Sequence, residues 1–338
     1  MKNRVHRVRL ASRAVQITLG CVVASATAGA AAPDWVYPIN PPAAGKPAAE
    51  APKKPVHIPN SGVTFMPAQL VDRFVVPDWH PRSHDQMPDI VARGRTPDVF
   101  ACGYCHLPGG GGRPENASLA GLPSAYIVQQ VSDFQSGARR AALKGAYAPT
   151  DLMIDLAKHV NTDEVRVAAD YFSHQKLRPR VVVLERARIP RTEVMGWVYV
   201  TVPGGGDEPL GERLIEIAPD GERHEHRDDR MRYVAYVPPG SISRGRRIAH
   251  SGEQGVATAC VTCHGARLQG VGPIPPIAGR SPSYLLRQLL AFQSGARASA
   301  AGQPMQPVVA DLKIGKMIDV VAYAASLQPA SNSKESLK

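Results

Sequence analysis

Apolar side chains recur at the 3.6-residue period of an α-helix in two widely separated stretches. The two stripes are Val165, Ala168, Ala169 and Phe172, and Ile314, Ile318, Val321 and Ala325. Each stripe predicts an amphipathic helix that turns this face toward the core. Two further helices are predicted, one from after Pro123 to near Gly137 and one from Pro282 to Gly295, because proline favours helix starts and glycine favours helix ends.

The segment 179–240 has a different pattern. Four short runs rich in β-branched and aromatic residues predict strands: Val181–Leu184, Trp197–Val202, Leu214–Ile217 and Tyr233–Val237. The sequences Pro-Gly-Gly-Gly and Pro-Asp-Gly between the runs are typical of turns. We therefore expect a small antiparallel β insert, which serves either as a structural spacer or as a docking surface for a partner.

The first thirty residues have the order of an export signal. Basic residues lead into an apolar stretch, Ala14 to Val23, and then into small residues, Ala24 to Ala32. A cleavage site is predicted after Ala28-Gly29-Ala30. A membrane anchor is one alternative, but the apolar run is shorter than the ~20 residues that span a bilayer. Lipid attachment at Cys21 is another, and Thr18 stands where a large aliphatic residue is usual. A periplasmic protein is expected.

Length and charge narrow the class of protein. A chain of 338 residues is long enough for two domains or more. The formal charge is +11, but the first thirty residues hold five basic residues and no acidic one, so the exported chain is only mildly basic. Nucleic-acid binding needs a concentrated basic face, whereas these charges are scattered. We expect no nucleic-acid partner.

Four of the five cysteines lie in two pentapeptides of one pattern, Cys102-Gly-Tyr-Cys105-His106 and Cys260-Val-Thr-Cys263-His264. Cys-x-x-Cys-His is the attachment signature of c-type haem. The two cysteines bind the vinyl groups of haem as thioethers, and the histidine binds the iron. Zinc binding and a redox dithiol are alternatives, but neither requires a histidine after the second cysteine. Two covalently attached haem c groups are expected.

The chain also repeats itself. A shift of 158 positions superimposes the two cysteine motifs, and it aligns Phe134–Arg139 with the identical Phe292–Arg297. The same shift aligns Ala120-Gly121 with Ala278-Gly279, and it aligns Tyr126, Gln130 and Phe134 with Tyr284, Gln288 and Phe292. Beyond this point the shift is 152, because the first copy has six extra residues. The chain therefore contains two related units.

Each unit offers a methionine before its last predicted helix. Met153 aligns with Met305, so the predicted iron ligands are His106 with Met153 and His264 with Met305. This pair of ligands is typical of electron-transfer cytochromes and leaves no open iron site. Met153 has two competing interpretations, since it could be a core residue in a helix and His159 could take its place.

At these residues the sequence resembles the class I cytochrome c family, in particular the two-domain di-haem cytochromes of the bacterial periplasm. The resemblance covers about residues 90–178 and 241–328. It implies a mainly α fold: two class I cytochrome c helical domains, with the small antiparallel β insert between them. It also implies that the first and last helices of each domain cross at a small residue, matched by Gly94 and Gly245.

The resemblance further implies a backbone carbonyl that accepts a hydrogen bond from each axial histidine. Pro275 or Pro276 would supply it in the second unit. The aligned residues in the first unit are Ala117 and Ser118, and the orientation of a histidine ring does not require proline.

The predicted organisation has six segments: a signal peptide (1–30), a Pro/Ala-rich tether and N-terminal arm (31–89), a first haem domain (90–178), the β-rich insert (179–240), a second haem domain (241–328) and a disordered tail (329–338).

The predicted function is electron transfer through two haem groups, without catalysis. The expected partners are redox proteins: a dehydrogenase, a quinol-oxidising complex or a terminal oxidase, with membrane contact only through them. One alternative is a cytochrome subunit that serves as the electron outlet of a periplasmic dehydrogenase. Another is a di-haem peroxidase, against which the two methionines argue, since a peroxidase needs an iron that is open.

Overall fold

The computed structural model describes residues 32–41, 54–143, 145–253 and 258–329. The predicted signal peptide and Cys21 lie outside the described residues, as do residues 42–53 of the predicted tether and 330–338 of the predicted tail. Among the helices of the described ranges, none combines the length and the apolar character needed to cross a bilayer.

Helices occupy most of the first half of the chain. They are α1 (Pro67–Val71), α2 (Asp89–Ala92), α3 (Cys102–His106), α4 (Ser124–Gln135), α5 (Ala148–His159) and α6 (Thr162–His174). The predictions for α4 and α6 are confirmed. The stripe of α6 is buried and packs against residues of α2 and α4. Asn161 caps α6, because its side chain accepts from the Glu164 amide at 2.9 Å while the Glu164 carboxylate accepts from the Asn161 amide.

Seven strands follow within the described range 145–253, interrupted by one short helix. They are β1 (Val181–Glu185), β2 (Arg188–Pro190), β3 (Thr192–Met195), β4 (Val198–Thr201), β5 (Asp207–Pro209), β6 (Ile215–Ala218) and β7 (Tyr233–Val237), with α7 (Gly221–Glu225) before β7. Five of them form one sheet in the order β1-β7-β6-β4-β3, and β2 pairs with β5.

The predicted fold class, mainly α with a small antiparallel insert, is wrong. The four predicted strands exist within a residue or two of their expected ends, but β1 pairs with β7 in parallel and β4 pairs with β6 in parallel. The sheet is therefore mixed, and the protein is a mixed α and β protein. The pattern of apolar residues shows that a strand exists, whereas its neighbour is chosen by contacts far along the chain. The short strands β2, β3 and β5 were missed because proline and charged residues interrupt them, so they show no run of β-branched and aromatic residues.

The second unit is helical: α8 (Ser241–Ser251), α9 (Val261–His264), α10 (Pro282–Gln293), α11 (Met305–Val309) and α12 (Ile314–Ser326). Its core is the largest among the described residues and includes Ile318 and Val321 of the predicted stripe. The helix is not amphipathic as predicted, however, because every residue of α12 from Met317 to Ala325 is buried. The sheet packs against this unit, since β1 contacts α12 and β6 contacts α10.

The two predicted helix crossings differ. A Cβ added to Gly245 would lie 1.9 Å from the carbonyl oxygen of Asp319, so α8 and α12 touch backbone to backbone as expected. The prediction for Gly94 is wrong. This residue lies beyond the end of α2 with φ +67°, and an added Cβ would meet the carbonyl oxygen of Val99 rather than α6. Gly94 is a turn residue, because only glycine adopts this backbone without strain.

The N-terminal residues pack into the molecule. Asp34–Val36 form a 3-10 helix, and Val36 and Tyr37 are buried in the core of the second unit. The Tyr37 hydroxyl accepts a hydrogen bond from the Ala142 amide at 2.9 Å. This short segment therefore joins the two halves of the chain.

Two candidate haem sites

The first cysteine motif forms α3, and both of its sulfurs lie on one helical turn. Cys102 and Cys105 are half-buried. Burial raises the pKa of the Cys102 thiol to about 12 and also raises the pKa of the Cys105 thiol. A reactive dithiol needs a thiolate with a lowered pKa, so the local environment disfavours that alternative to haem.

His106 is held by a backbone carbonyl of the loop that follows α3. Its Nδ1 donates to the Ala117 carbonyl oxygen at 2.8 Å. Burial lowers the pKa of the imidazole, so the ring is neutral. Because Nδ1 is engaged, Nε2 is the nitrogen left to bind a metal ion, and the hydrogen bond fixes the ring as carbonyl partners of metal-bound histidines do.

A cavity of about 660 Å³ lies in front of this histidine. Its wall contains all four predicted residues of the first site, Cys102, Cys105, His106 and Met153. Much of the rest is apolar: Leu119, Leu122, Ile127, Leu156, Val165 and Phe172. The competing ligand His159 is exposed, and its Nδ1 bonds to the Asp155 carbonyl of its own helix at 3.0 Å. The structure thus brings Met153, rather than His159, to the cavity.

The cavity fits a haem in a second respect. The Tyr147 hydroxyl lies in the wall, and among the described residues it is buried without a hydrogen-bond partner. A buried hydroxyl of this kind normally has a partner. A haem carries carboxylates that could accept from Tyr147, and the apolar walls suit its flat ring.

Part of the cavity wall comes from outside the first unit. The insert contributes Met195, Trp197 and Arg227, and the second unit contributes Tyr284 and Arg287. Sequence reasoning did not assign these residues to the first site, because each lies far from the first cysteine motif along the chain. The insert is therefore part of the first site, as well as a link between units.

The second cysteine motif forms α9, with Cys260 as the residue directly before the helix. Cys260 is half-buried and Cys263 is exposed. The Nδ1 of His264 donates to the Pro275 carbonyl oxygen at 2.9 Å. Met305 begins α11 and packs against the same hydrophobic core as Cys260. The structure therefore brings Cys260 and Met305 to one core, with His264 about one helical turn after Cys260.

One buried arginine connects the two histidine loops, and sequence reasoning missed it. The Arg280 guanidinium donates to the Ser118 carbonyl oxygen at 2.7 Å and to the Pro276 carbonyl oxygen at 2.7 Å. These acceptors directly follow Ala117 and Pro275, which hold the histidines. Burial lowers the pKa of Arg280 to about 10, so the side chain stays charged at neutral pH. The repeat held one sign of this role, because the residue of the first unit that aligns with Arg280 is the apolar Leu122.

The described residues also bear on zinc binding. Three side chains with metal-binding atoms come together only at His80, Asp228 and Asp229, within the part of the chain that the structure describes. That cluster contains no residue of either cysteine motif. A four-cysteine zinc site made from the two motifs is therefore not formed among the described residues.

Comparison with known proteins agrees with this chemistry. The sequence profile of the cytochrome c family matches residues 249–328. The chain is 26% identical over 245 residues to the thiosulfate dehydrogenase electron acceptor of Thiomonas intermedia, covering 70% of this chain and 83% of that protein. It is 23% identical over 230 residues to cytochrome c4 of Azotobacter vinelandii, covering 67% and 83%.

A shorter relative is matched almost from end to end. Cytochrome c-554(548) of Halomonas halodenitrificans is 35% identical over 79 residues, which are 23% of this chain and 94% of that protein. Identity of this degree over a whole small protein, together with the two histidine and cysteine sites, leaves one conclusion. The chain belongs to the cytochrome c family.

Proposed function

We propose that the protein is a periplasmic di-haem electron carrier with two six-coordinate haem c groups. Residues 90–178 and 241–328 are the haem domains, and 179–240 is an insert that joins them. Cys102 and Cys105 hold the first haem, and Cys260 and Cys263 hold the second. The axial ligands are His106 with Met153 and His264 with Met305.

The observation that carries the proposal is the matched setting of the two histidines. His106 and His264 each follow a Cys-x-x-Cys pair, and each donates through Nδ1 to a carbonyl eleven residues downstream. The two related loops, one with alanine and one with proline, thus keep the same bond although the residue that supplies the carbonyl differs. The bond leaves the same ring nitrogen, Nε2, to bind a metal ion in each unit.

The residues of the chain have distinct tasks in this function. Haem c, when bound, supplies a one-electron exchange between ferric and ferrous iron. The thioether sulfurs of Met153 and Met305 would be soft iron ligands that favour the ferrous form. Apolar residues of the first cavity would pack against the haem ring, and His106 stays fixed because its Nδ1 is bonded. The protein would thus provide ligation and orientation.

A second function has a specific observation in its favour. The Thiomonas intermedia relative is named an electron acceptor of thiosulfate dehydrogenase, and it matches this chain over 83% of its length. The chain could therefore serve as the fixed electron outlet of a periplasmic dehydrogenase. A stable complex recovered from periplasmic extract would support this subunit role, and a chain that migrates alone would contradict it.

The ligand set can be tested by optical spectroscopy on the purified holoprotein. We expect two haems per chain and a far-red sulfur-to-iron band of the intensity given by two methionine ligands. Met153→Ala and Met305→Ala should each remove half of this band and leave the other half. The unmodified protein is the control for haem content, since covalent attachment does not depend on the methionines.

Two outcomes would contradict the proposal. A haem count below two would remove the di-haem carrier altogether. A high-spin signal from one haem of the unmodified protein would mean an open iron, and the peroxidase alternative would then replace it. In that case Met153→Ala or Met305→Ala would leave the far-red band unchanged in the unit concerned.

A further inference from the structure

The surfaces of α3 and α9 around the two cysteine motifs, which we call the first edge and the second edge, differ in what covers them. Tyr104 lies between the cysteines of the first motif and is only 7% exposed. Its counterpart in the second motif, Thr262, is exposed, and so is Cys263. The two units are related by a repeat, so this difference comes from the parts of the chain that lie outside the repeat.

Three residues cover the first edge, and we call Leu70, Val76 and Arg227 the cover. The Tyr104 hydroxyl donates to the Leu70 carbonyl oxygen at 3.2 Å. Val76 packs in one cluster with Tyr104 and Cys105. Two of these residues come from the N-terminal arm and one comes from the insert, so both regions meet on the first cysteine helix.

Arg227 closes the cover. Its guanidinium carbon lies 3.8 Å from the centre of the Tyr104 ring, and its Nη1 donates to the Leu70 carbonyl oxygen at 3.0 Å. A guanidinium over an aromatic face at this distance is an attractive contact. The arm and the insert are thus bonded to each other as well as to Tyr104, and the first edge is shielded from solvent.

The second edge has the opposite character. Thr262, Cys263 and Arg267 are exposed, and residues 258–281 contain no acidic side chain. Arg267 follows Cys263 by four residues and is the exposed charge of this stretch, since Arg280 is buried. Within residues 258–281 the edge thus carries one exposed positive charge and no negative charge. It matches an acidic surface, because opposite charges steer two proteins into a productive encounter.

We infer that this protein exchanges electrons with its redox partner at the second edge, beside Cys263. The haem of the first unit then receives its electron from the haem of the second unit. The partner is a one-electron redox protein with an acidic surface around its own centre. At each encounter the partner is oxidised by one electron and this chain is reduced by one, and no covalent bond forms or breaks. The inference rests on the proposed two-haem function.

Solvent access to each haem can be measured without electron transfer. A neutral gadolinium chelate is added to the ferric holoprotein, and the broadening of the hyperfine-shifted haem methyl signals is recorded by NMR. Met153→Ala and Met305→Ala assign the two sets of signals. We expect the second set to broaden several times more than the first. Equal broadening of the two sets, or stronger broadening of the first, would overturn the inference.

The cover itself can be removed. Tyr104→Thr combined with Arg227→Ala gives the first edge the residue found at Thr262 and deletes the closing contact. Broadening of the first set should then approach that of the second. If it stays at the level of the unmodified protein, the cover is not what shields the first haem. The comparison of the two sets in the unmodified protein needs only the two methionine variants for assignment, so it stands if the double variant fails to fold.

The docking edge is tested by charge reversal. Arg267→Glu is compared with Arg93→Glu, an exposed position on the first unit, and iron(II)-EDTA is the anionic reductant. Arg267→Glu should lower the second-order rate of reduction by roughly three- to tenfold at low salt, whereas Arg93→Glu should change it little. A larger loss with Arg93→Glu would overturn the inference. A preparation with fewer than two haems would instead refute the proposed function.

Discussion

Arg139 and Arg297 occupy equivalent positions in the two units, and each bonds to a glutamine of the opposite unit. The Nη2 of Arg139 donates to Gln288 at 3.0 Å, and the Nη2 of Arg297 donates to Gln130 at 2.6 Å. Their backbones pair as an antiparallel bridge. The repeated sequence that relates the two halves therefore also forms one of the contacts that join them.

These hydrogen bonds between the units predict that removing either arginine lowers the stability of the protein strongly. Arg297→Ala removes a buried side chain that bonds to Gln130 and Gln288 and lies over the Phe292 ring. Although Gln130 still accepts from Arg139, we expect the free energy of unfolding to fall by about 2–4 kcal/mol. Arg297→Lys keeps the charge but loses the planar guanidinium. The stability of this variant should therefore lie between those of the unmodified protein and of Arg297→Ala. The measurement is urea unfolding of the holoprotein. Arg166→Ala, in an exposed ion pair with Asp163, is the control and should change little. A loss no greater than that of the control would contradict the prediction.

The crossing of α8 and α12 predicts opposite effects for two glycines of the second unit. A Cβ at Gly245 would overlap the Asp319 carbonyl, so Gly245→Ala must separate the helices and should destabilise the protein by about 1–3 kcal/mol or more. Gly315 lies in α12 with nothing within 4 Å of an added Cβ. Gly315→Ala should stabilise by about 0.5–1 kcal/mol, because the unfolded chain loses freedom. Thermal unfolding of both variants checks this, and two changes of the same sign would refute it.

His264 is held by the backbone carbonyl of Pro275, so we expect a substitution of this proline to leave the haem site unchanged. Pro275→Ala keeps the backbone oxygen, and the first unit already makes the same bond from Ala117. We expect the far-red band and the midpoint potential of the second haem to stay unchanged, apart from a small loss of stability from greater chain freedom. Redox titration is the measurement. A shifted potential would mean that the proline ring itself, rather than its carbonyl, orients the histidine.

Glu216 on β6 predicts a pH dependence. Burial raises the pKa of its carboxyl above the ordinary value of 4.5, although Ser281 donates to it at 2.6 Å. The folded protein then holds more protons than the unfolded chain, so this group contributes stability that is full below pH 4.5 and is lost as the pH rises through the folded pKa. Glu216→Gln stays neutral and should gain stability relative to the parent as the pH rises above 4.5.

Urea unfolding at several pH values measures this difference. Glu193→Gln, at an exposed position of β3, is the matched control. Its stability should follow that of the parent across the range. If the two variants behave alike, the buried carboxyl does not contribute to the pH dependence of folding.

The features that could be predicted from the sequence are those determined by residues close together along the chain. The cysteine motifs are local, and α4 begins directly after Pro123 as the pattern indicates. The order of the strands was not predicted, since β1 and β7 pair although about fifty residues separate them. Met153 lies in the cavity wall, but its role as an iron ligand stays a prediction.

The cover of the first site shows a second limit of sequence reasoning. Leu70, Val76 and Arg227 lie in segments that have no period and no haem motif, so nothing local connects them with Tyr104. The isolated tyrosine between two cysteines was the available sign, because a large aromatic side chain beside an attachment site has to be buried against something. What buries it is decided by the tertiary fold.

The Arg280 side chain, which bonds to both histidine loops, has a consequence for the history of the repeat. A duplicated sequence begins with two equal copies, yet here one copy carries an arginine that binds the loops of both, and the other carries Leu122 at that position. The first half would lose part of its support if it were expressed by itself. The two copies of the repeat have therefore become unequal, since one of them supplies the arginine to which both histidine loops bond.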